Sequence, residues 1–150
     1  GGGDGASNLA AAADERGLGG FVDISGPVDH ATAAALIGES WVGVAPYEPN
    51  DFFYFCPLKV IEYMAAGVPT VASSLGDIPA LLDGGGILVE AADIDGFVDA
   101  TADLLADPER CRALGATGRR RALETLTWSD AADATLAAIR AAGHVRGAPR

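Results

Sequence analysis

Residues 52–73 predict an apolar loop, a helix and a buried strand in immediate succession. Pro57 suits the first position of a helix, where no backbone N–H is needed. Gly67 suits the residue just past the helix end, and Pro69 prevents the helix from continuing. Thr70–Ser73 then reads as a short buried strand. The apolar side chains of the helix recur at helical spacing, with Leu58, Ile61 and Ala65 in one row and Val60 and Met64 in another.

Two charged residues interrupt this helix, which is otherwise apolar nearly all round and is therefore expected to be buried. Lys59 and Glu62 are three residues apart and share one face. Lys59, the only lysine in the chain, falls in the first turn, where the helix dipole disfavours a cation. The residues alone leave two interpretations open. One is a surface ion pair worth about 0.2–0.5 kcal/mol. The other is an anion site, in which backbone N–H groups at the helix start and the Lys59 ammonium hold a phosphate.

The segment from Cys56 to Ser73 resembles the nucleotide-sugar signature of the glycosyltransferases group 1 family. Enzymes of this family have the GT-B fold, with two Rossmann-like domains, and the resemblance runs from the glycine loop at Gly1 to the helix after Trp128. It implies that the chain is an incomplete C-terminal, nucleotide-sugar-binding half of such an enzyme. The expected parts are a partial Rossmann-like domain over 1–126, a C-terminal helix over 127–143 and a tail over 144–150.

The resemblance also implies a function and a set of site residues. Such an enzyme transfers a sugar from a nucleoside-diphosphate sugar to an acceptor, usually with retention of configuration. Leu58 and Lys59 would bind the diphosphate, and Glu62 would bind the ribose. The nucleobase loop would comprise Ser25, Gly26, Pro27 and Val28. Glu48, Asp51 and Tyr54 are possible donor-sugar contacts, although Tyr54 stands where many members have a glutamate. No catalytic residue is assigned, and neither a metal nor another cofactor is implied besides the donor substrate.

Composition narrows the choice of partners. The net charge of −11 repels nucleic acid and anionic membranes. Cys56 and Cys111 alone suggest neither a disulfide framework nor a metal site. No signal peptide and no apolar run near the length of a membrane span is found, so a cytoplasmic location is expected. The expected partners are a nucleotide sugar, an unknown acceptor and an N-terminal domain of the same enzyme.

Strands alternate with helices along the chain, which predicts a parallel α/β sheet with helices on both faces. The expected strands are Phe21–Ser25, Trp41–Ala45, Thr70–Ser73 and Ile87–Val89. The expected helix N-caps are Asp29 and Ser129, and Asp93 is expected to begin a helix. Arg119, Arg120 and Arg121 are expected to be a solvated helix face rather than a nucleic-acid site, because acidic residues predominate in the chain.

In the family the strands lie in the order 3-2-1-4-5-6. This chain supplies strands 3, 4, 5 and 6 but not strands 1 and 2. The Phe21–Ser25 strand would then have no neighbour, and its backbone groups would be unpaired. The isolated chain is accordingly expected to expose apolar surface and either to unfold without a sharp transition or to aggregate.

Two other functions stay open, and the opening glycines suggest the first of them. Gly1–Ala6 fits the dinucleotide spacing G-x-G-x-x-A, but the strand that should precede it is absent. One alternative is therefore a fragment of an NAD-type dinucleotide-binding oxidoreductase. The other is a non-enzymatic regulatory domain that binds a nucleotide.

Overall fold

The structure is a computed structural model that describes residues 5–49 and 57–145, with side chains described as far as residue 143. The described chain forms two compact units, which divide between Leu36 and Ile37. The helices are α1 (Gly5–Glu15), α2 (His30–Gly38), α3 (Leu58–Ala66), α4 (Ile78–Leu82), α5 (Ile94–Ala106), α6 (Pro108–Thr125) and α7 (Trp128–Val145), and a short 3-10 helix spans Gly19–Phe21.

The second unit contains a parallel three-stranded sheet in the order β1-β2-β3. Its strands are β1 (Gly43–Ala45), β2 (Thr70–Ser73) and β3 (Gly86–Val89). Helix α3 connects β1 to β2 and α4 connects β2 to β3, as parallel neighbours require crossover connections. The three strands expected after residue 40 are therefore confirmed.

Helices cover both faces of this sheet, as the sequence predicts. Ala45 and Ala72 face α3 and α4 on one side, and Val71 and Val89 face α5 on the other. The first cluster is completed by Val60, Met64, Ile78, Leu82 and Ala122, and the second by Leu104 and Cys111. Helix α6 contributes to both clusters, so it joins the two layers.

Glycines allow α6 to approach its neighbours backbone to backbone. A methyl group on Gly115 would overlap the carbonyl oxygen of Gly67, at the end of α3. A methyl group on Gly85 would lie 2.6 Å from the Cα of Gly118. Since a carbonyl or a Cα cannot rotate aside, these positions have no room for a side chain at the observed spacing.

Arg119 and Arg120 are exposed, as predicted for a solvated helix face, whereas Arg121 is half-buried, so the prediction is wrong for Arg121. The Arg119 guanidinium donates to the carbonyl of Ala65 near the end of α3. Arg121 donates from Nε to the carbonyl of Leu81 at 2.8 Å and from Nη2 to that of Ala80 at 2.6 Å, near the end of α4. The last carbonyls of a helix lack partners within it, and these side chains satisfy them.

We expect Arg121→Leu to lower the free energy of unfolding by about 1–2 kcal/mol, because two hydrogen bonds to carbonyls are lost. The change also removes the 2.9 Å ion pair with Asp83. The Asp83 side chain is mostly exposed, so this pair contributes little to stability. The neighbouring exposed residue supplies the control, since Arg120→Leu should change stability by less than about 0.5 kcal/mol. Urea unfolding midpoints of the intact protein measure both, and equal midpoints for the two variants would contradict the prediction.

The predicted strand Phe21–Ser25 is wrong. Phe21 ends the 3-10 helix and is 86% exposed, and residues 22–28 are neither strand nor helix. Alternating apolar and polar residues form a strand only where a neighbouring strand pairs with their backbone groups. In the described part of the chain, these residues have no such neighbour.

Of the two predicted helix caps, Asp29 is confirmed and Ser129 is wrong. The carboxylate of Asp29 accepts from the N–H of Thr32 at 2.8 Å. Asp93, which was expected to begin a helix, is instead the cap of α5, and its carboxylate accepts from the N–H of Gly96 at 2.9 Å. Ser129 lies inside α7. The cap is Thr127, which exchanges reciprocal hydrogen bonds with Asp130. Helix α7 also continues to Val145, two residues beyond the expected end of the C-terminal helix.

Candidate functional site

Helix α3 begins directly after Pro57 and ends where expected. Gly67 has a φ of 78°, and its left-handed conformation closes the last turn. Only Val60 and Met64 are fully buried in the helix, whereas the Leu58 side chain is 51% exposed. The expectation that the helix is buried all round is therefore wrong, because α3 packs on one face of the sheet and keeps an outer side.

The start of α3 carries backbone donors that the helix itself cannot use. The N–H of Val60 donates to the carbonyl of Pro57 at 2.8 Å. The N–H groups of Leu58 and Lys59 come earlier, where an α-helix provides no acceptor in a preceding turn. N–H groups in such positions can bind an anion, which the helix dipole also favours at this end.

Because α3 connects two parallel strands, its start lies at the edge of the sheet where those strands end. The loop after β1 contains Tyr47, and Ser73 is the last residue of β2. Open α/β sheets bind ligands outside the carboxyl ends of their strands. The start of α3, Tyr47 and Ser73 thus lie at the edge where a ligand site is expected.

Ser73 fixes the backbone of Tyr47. The N–H of Tyr47 donates to Ser73 Oγ at 2.8 Å, and this hydroxyl donates in turn to the Tyr47 carbonyl at 2.9 Å. Ser73 is 1% exposed. A buried hydroxyl with both a donor and an acceptor satisfied holds its partner in one orientation.

The side chain of Lys59 lies over the ring of Tyr47. Its ammonium nitrogen is 4.5 Å from the ring centroid, within the range of a cation–π interaction. Partial burial lowers the pKa of Lys59 from its ordinary value of 10.5. No ion pair forms between Lys59 and Glu62, both of which the structure describes. The simpler of the two interpretations, a surface ion pair, is therefore not found.

The remaining predicted site residues are distributed as follows. Glu62 is exposed on α3. Burial raises the pKa of Tyr63, and the negative charge of the Glu62 carboxylate raises it further. Glu48 is exposed directly after Tyr47. Asp51 and Tyr54 lie outside the described residues. The predicted nucleobase loop belongs to the first compact unit, where Gly26 has a φ of 66° and Ser25, Pro27 and Val28 are exposed.

Sequence reasoning missed Tyr47 and Ser73 as parts of the site. Ser73 left a usable signal, since a polar residue that ends an otherwise apolar buried strand lies at the ligand edge of a parallel sheet. The only sequence signal for Tyr47 was its position in the loop after β1. Its neighbour in space, Lys59, is twelve residues away in the chain, so no local pattern connects them.

A groove of about 870 Å³ lies beside Tyr47 and has a largely apolar lining. Lys59 and Glu62 do not line it, so it is distinct from the start of α3. It runs between the end of β1 and helix α5. Its lining includes Val44, Tyr47, Ile94, Phe97, Thr101 and Leu105.

Metal and membrane sites were sought over residues 5–49 and 57–145. There, no group of three or more His, Cys, Asp or Glu residues is arranged to hold a metal ion. Nor is any helix of that part long and apolar enough to cross a bilayer.

Comparison with known proteins identifies the family. The sequence model of the family described as Glycosyl transferases group 1 matches residues 1–107. The chain belongs to this family, which confirms the resemblance noted from residues 56–73.

Two curated relatives and one solved structure show how much of such a protein the chain represents. It is 34% identical over 126 residues to the MMP alpha-(1->4)-mannosyltransferase of Mycolicibacterium hassiacum, a match that covers 82% of this chain and 30% of that protein. It is 44% identical over 70 residues to the GDP-mannose-dependent alpha-(1-6)-phosphatidylinositol monomannoside mannosyltransferase of Mycolicibacterium smegmatis, covering 45% and 18% respectively. Sucrose-phosphate synthase from Thermosynechococcus elongatus matches with a TM-score of 0.79 and 29% identity, over 93% of this chain and 35% of that one.

These matches support the predicted GT-B relationship and the glycosyltransferase class. They do not favour the oxidoreductase alternative that the opening glycines kept open. The chain spans less than a third of the length of the two curated relatives.

Proposed function

We propose that this chain is the nucleotide-sugar-binding part of a glycosyltransferase that transfers a sugar from a nucleoside-diphosphate sugar to an acceptor, with retention. The observation that carries the proposal is that Lys59 belongs to the first turn of α3, with its ammonium 4.5 Å from the ring of Tyr47 in the loop after β1. In a chain with a net charge of −11, an anionic ligand needs such a local cationic site. Membership of the family supports the same reaction.

Each group at the site has a role in this proposal. The Leu58 and Lys59 N–H groups and the ammonium bind the diphosphate, and they stabilise the charge that it gains as the sugar–phosphate bond breaks. The Glu62 carboxylate accepts hydrogen bonds from the ribose hydroxyls. The backbone of residues 25–28 contacts the nucleobase, and Glu48, Asp51 and Tyr54 contact the donor sugar. No metal ion is needed, because the helix start and the lysine supply the positive charge.

The identity of the base is open to direct measurement. The name of the Mycolicibacterium smegmatis relative specifies GDP-mannose as its donor, which makes GDP the first ligand to test. Isothermal titration with GDP, UDP, ADP and NAD should give binding of one or more diphosphates and no response to NAD. Binding of NAD without binding of any nucleoside diphosphate would overturn the proposal in favour of a dinucleotide enzyme.

A regulatory domain would also bind a nucleotide, so binding alone does not establish transfer. The intact protein should hydrolyse or transfer the sugar of the nucleotide sugar whose diphosphate binds, and the released diphosphate can be counted. A protein that binds the diphosphate tightly but leaves every matching nucleotide sugar intact would be a nucleotide sensor.

A further inference from the structure

The Lys59 ammonium has an aromatic ring as its neighbour, where a carboxylate would be the commoner partner. A carboxylate would hold the ammonium but would also cancel its charge and repel a diphosphate. A ring attracts the cation through its quadrupole and leaves the net positive charge in place. Two glutamates, Glu48 and Glu62, are close in sequence to Tyr47 and Lys59, yet the ammonium lies over the ring.

We propose that Tyr47 is a positioning residue, whose ring holds the Lys59 ammonium ready for the diphosphate and whose own place is fixed by Ser73. This inference rests on the proposed function, because it concerns how that site is prepared for its ligand. Lysine has a flexible four-carbon stem, so an ammonium without a neighbour would sample many positions and lose that freedom on binding. A ring at 4.5 Å removes much of this freedom before the ligand arrives.

Ser73 makes the ring a fixed support. It holds both backbone polar groups of Tyr47 from the buried end of β2, 26 residues further along the chain. The backbone of this loop residue is therefore attached to the central strand of the described sheet, which fixes the point from which the ring extends. The lysine at the start of α3 and the loop after β1 are thus held in one arrangement through Ser73 and Tyr47.

The geometry can be measured without any nucleotide. Reductive methylation with ¹³C-formaldehyde labels Lys59 and keeps its positive charge, and the Lys59→Ala variant identifies the signal. The ring current of Tyr47 should move the dimethylamino signal upfield of the model-peptide position. Tyr47→Phe should retain this displacement and Tyr47→Leu should abolish it. A wild-type signal at the model-peptide position would overturn the inference.

The effect on binding is tested by comparing the affinities of each variant for GDP and UDP with its affinities for guanosine and uridine. We expect Tyr47→Leu to weaken diphosphate binding about two- to tenfold, the cost of ordering one flexible side chain on binding, and to leave nucleoside binding unchanged. Tyr47→Phe should bind like the wild type. Phe97→Leu is the matched control, since it removes a ring from the neighbouring groove and should alter neither ligand.

Four results of these titrations decide whether Tyr47 positions Lys59 and whether the proposed function stands. Selective loss of diphosphate affinity in Tyr47→Leu supports the positioning role. Equal loss of diphosphate and nucleoside affinity means that the ring only maintains the loop, and this outcome overturns the inference. Wild-type diphosphate affinity in Tyr47→Leu also overturns it, while the proposed function stands. A wild-type protein that binds no nucleoside diphosphate overturns the proposed function and this inference with it.

Discussion

Lys59→Ala is expected to weaken binding of a nucleoside diphosphate by about tenfold to a hundredfold, the value of one charged hydrogen bond. Binding of the bare nucleoside should hardly change, because only the phosphates meet the ammonium. The ammonium is half-buried beside the start of α3, where its attraction for an anion is stronger than in bulk water. Isothermal titration of diphosphate and nucleoside in turn separates the two effects.

Glu62→Ala should weaken both ligands by a similar factor of about ten to a hundred, because both carry the ribose. This change makes the protein less negative, which by itself should strengthen binding of an anion. The expected loss of affinity is therefore opposite in sign to the effect of net charge. Glu124→Ala alters the net charge equally from an exposed position on α6 and should not weaken binding. High salt should reduce the Lys59 effect more than the Glu62 effect, because salt screens the charge interaction with the phosphates.

Leu58→Ala is the matched control for the lysine. Leu58 is the adjacent residue, its side chain is half exposed, and its proposed contribution is a backbone N–H that alanine retains. It should bind the diphosphate like the wild type. If Lys59→Ala and Glu62→Ala also bind like the wild type, the start of α3 is not the donor site.

Gly115→Ala is expected to lower the free energy of unfolding by about 1–3 kcal/mol, the usual cost of overpacking. Alanine is the better helix former by about 1 kcal/mol, and that gain is included in the net loss. The cost should lie at the upper end because the added methyl meets the Gly67 carbonyl, which cannot change rotamer. To make room, α6 would have to move away from the end of α3, and the cluster around Met64 would loosen.

Two other glycines of the helices, Gly118 and Gly143, should lose less stability than Gly115 when they are changed to alanine. A methyl on Gly118 would lie 3.2 Å from the Gly85 carbonyl and 3.4 Å from the Met64 side chain, so a small shift relieves it and the loss should be smaller. Gly143 has open space around it in α7, so Gly143→Ala should leave stability unchanged or raise it by up to about 1 kcal/mol. Urea unfolding midpoints of the intact protein rank the three variants. A ranking in which Gly115→Ala is the most stable would show that α6 does not pack as described.

The site was predictable from sequence only where it depends on local order along the chain. Pro57, Gly67 and Pro69 delimit α3, and the apolar spacing between them makes it a helix that packs on a sheet. The position of Lys59 in the first turn follows from those limits alone. The cap at Asp29 was predictable for the same reason, since the carboxylate of a cap accepts from an N–H only three residues further along the chain.

Contacts between distant residues were decided by the tertiary structure. The hydroxyl of Ser73 reaches Tyr47 across 26 residues, and Arg121 reaches the end of α4 across 40. Lys59 could equally have faced Glu62, and only the folded loop after β1 offers the Tyr47 ring instead. Phe21–Ser25 shows the same limit in reverse, because its pattern suits a strand but a strand also needs a paired neighbour. A sequence determines the propensity of each segment through short-range sterics and hydrogen bonding, whereas a pairing between segments depends on which surfaces the completed fold brings together.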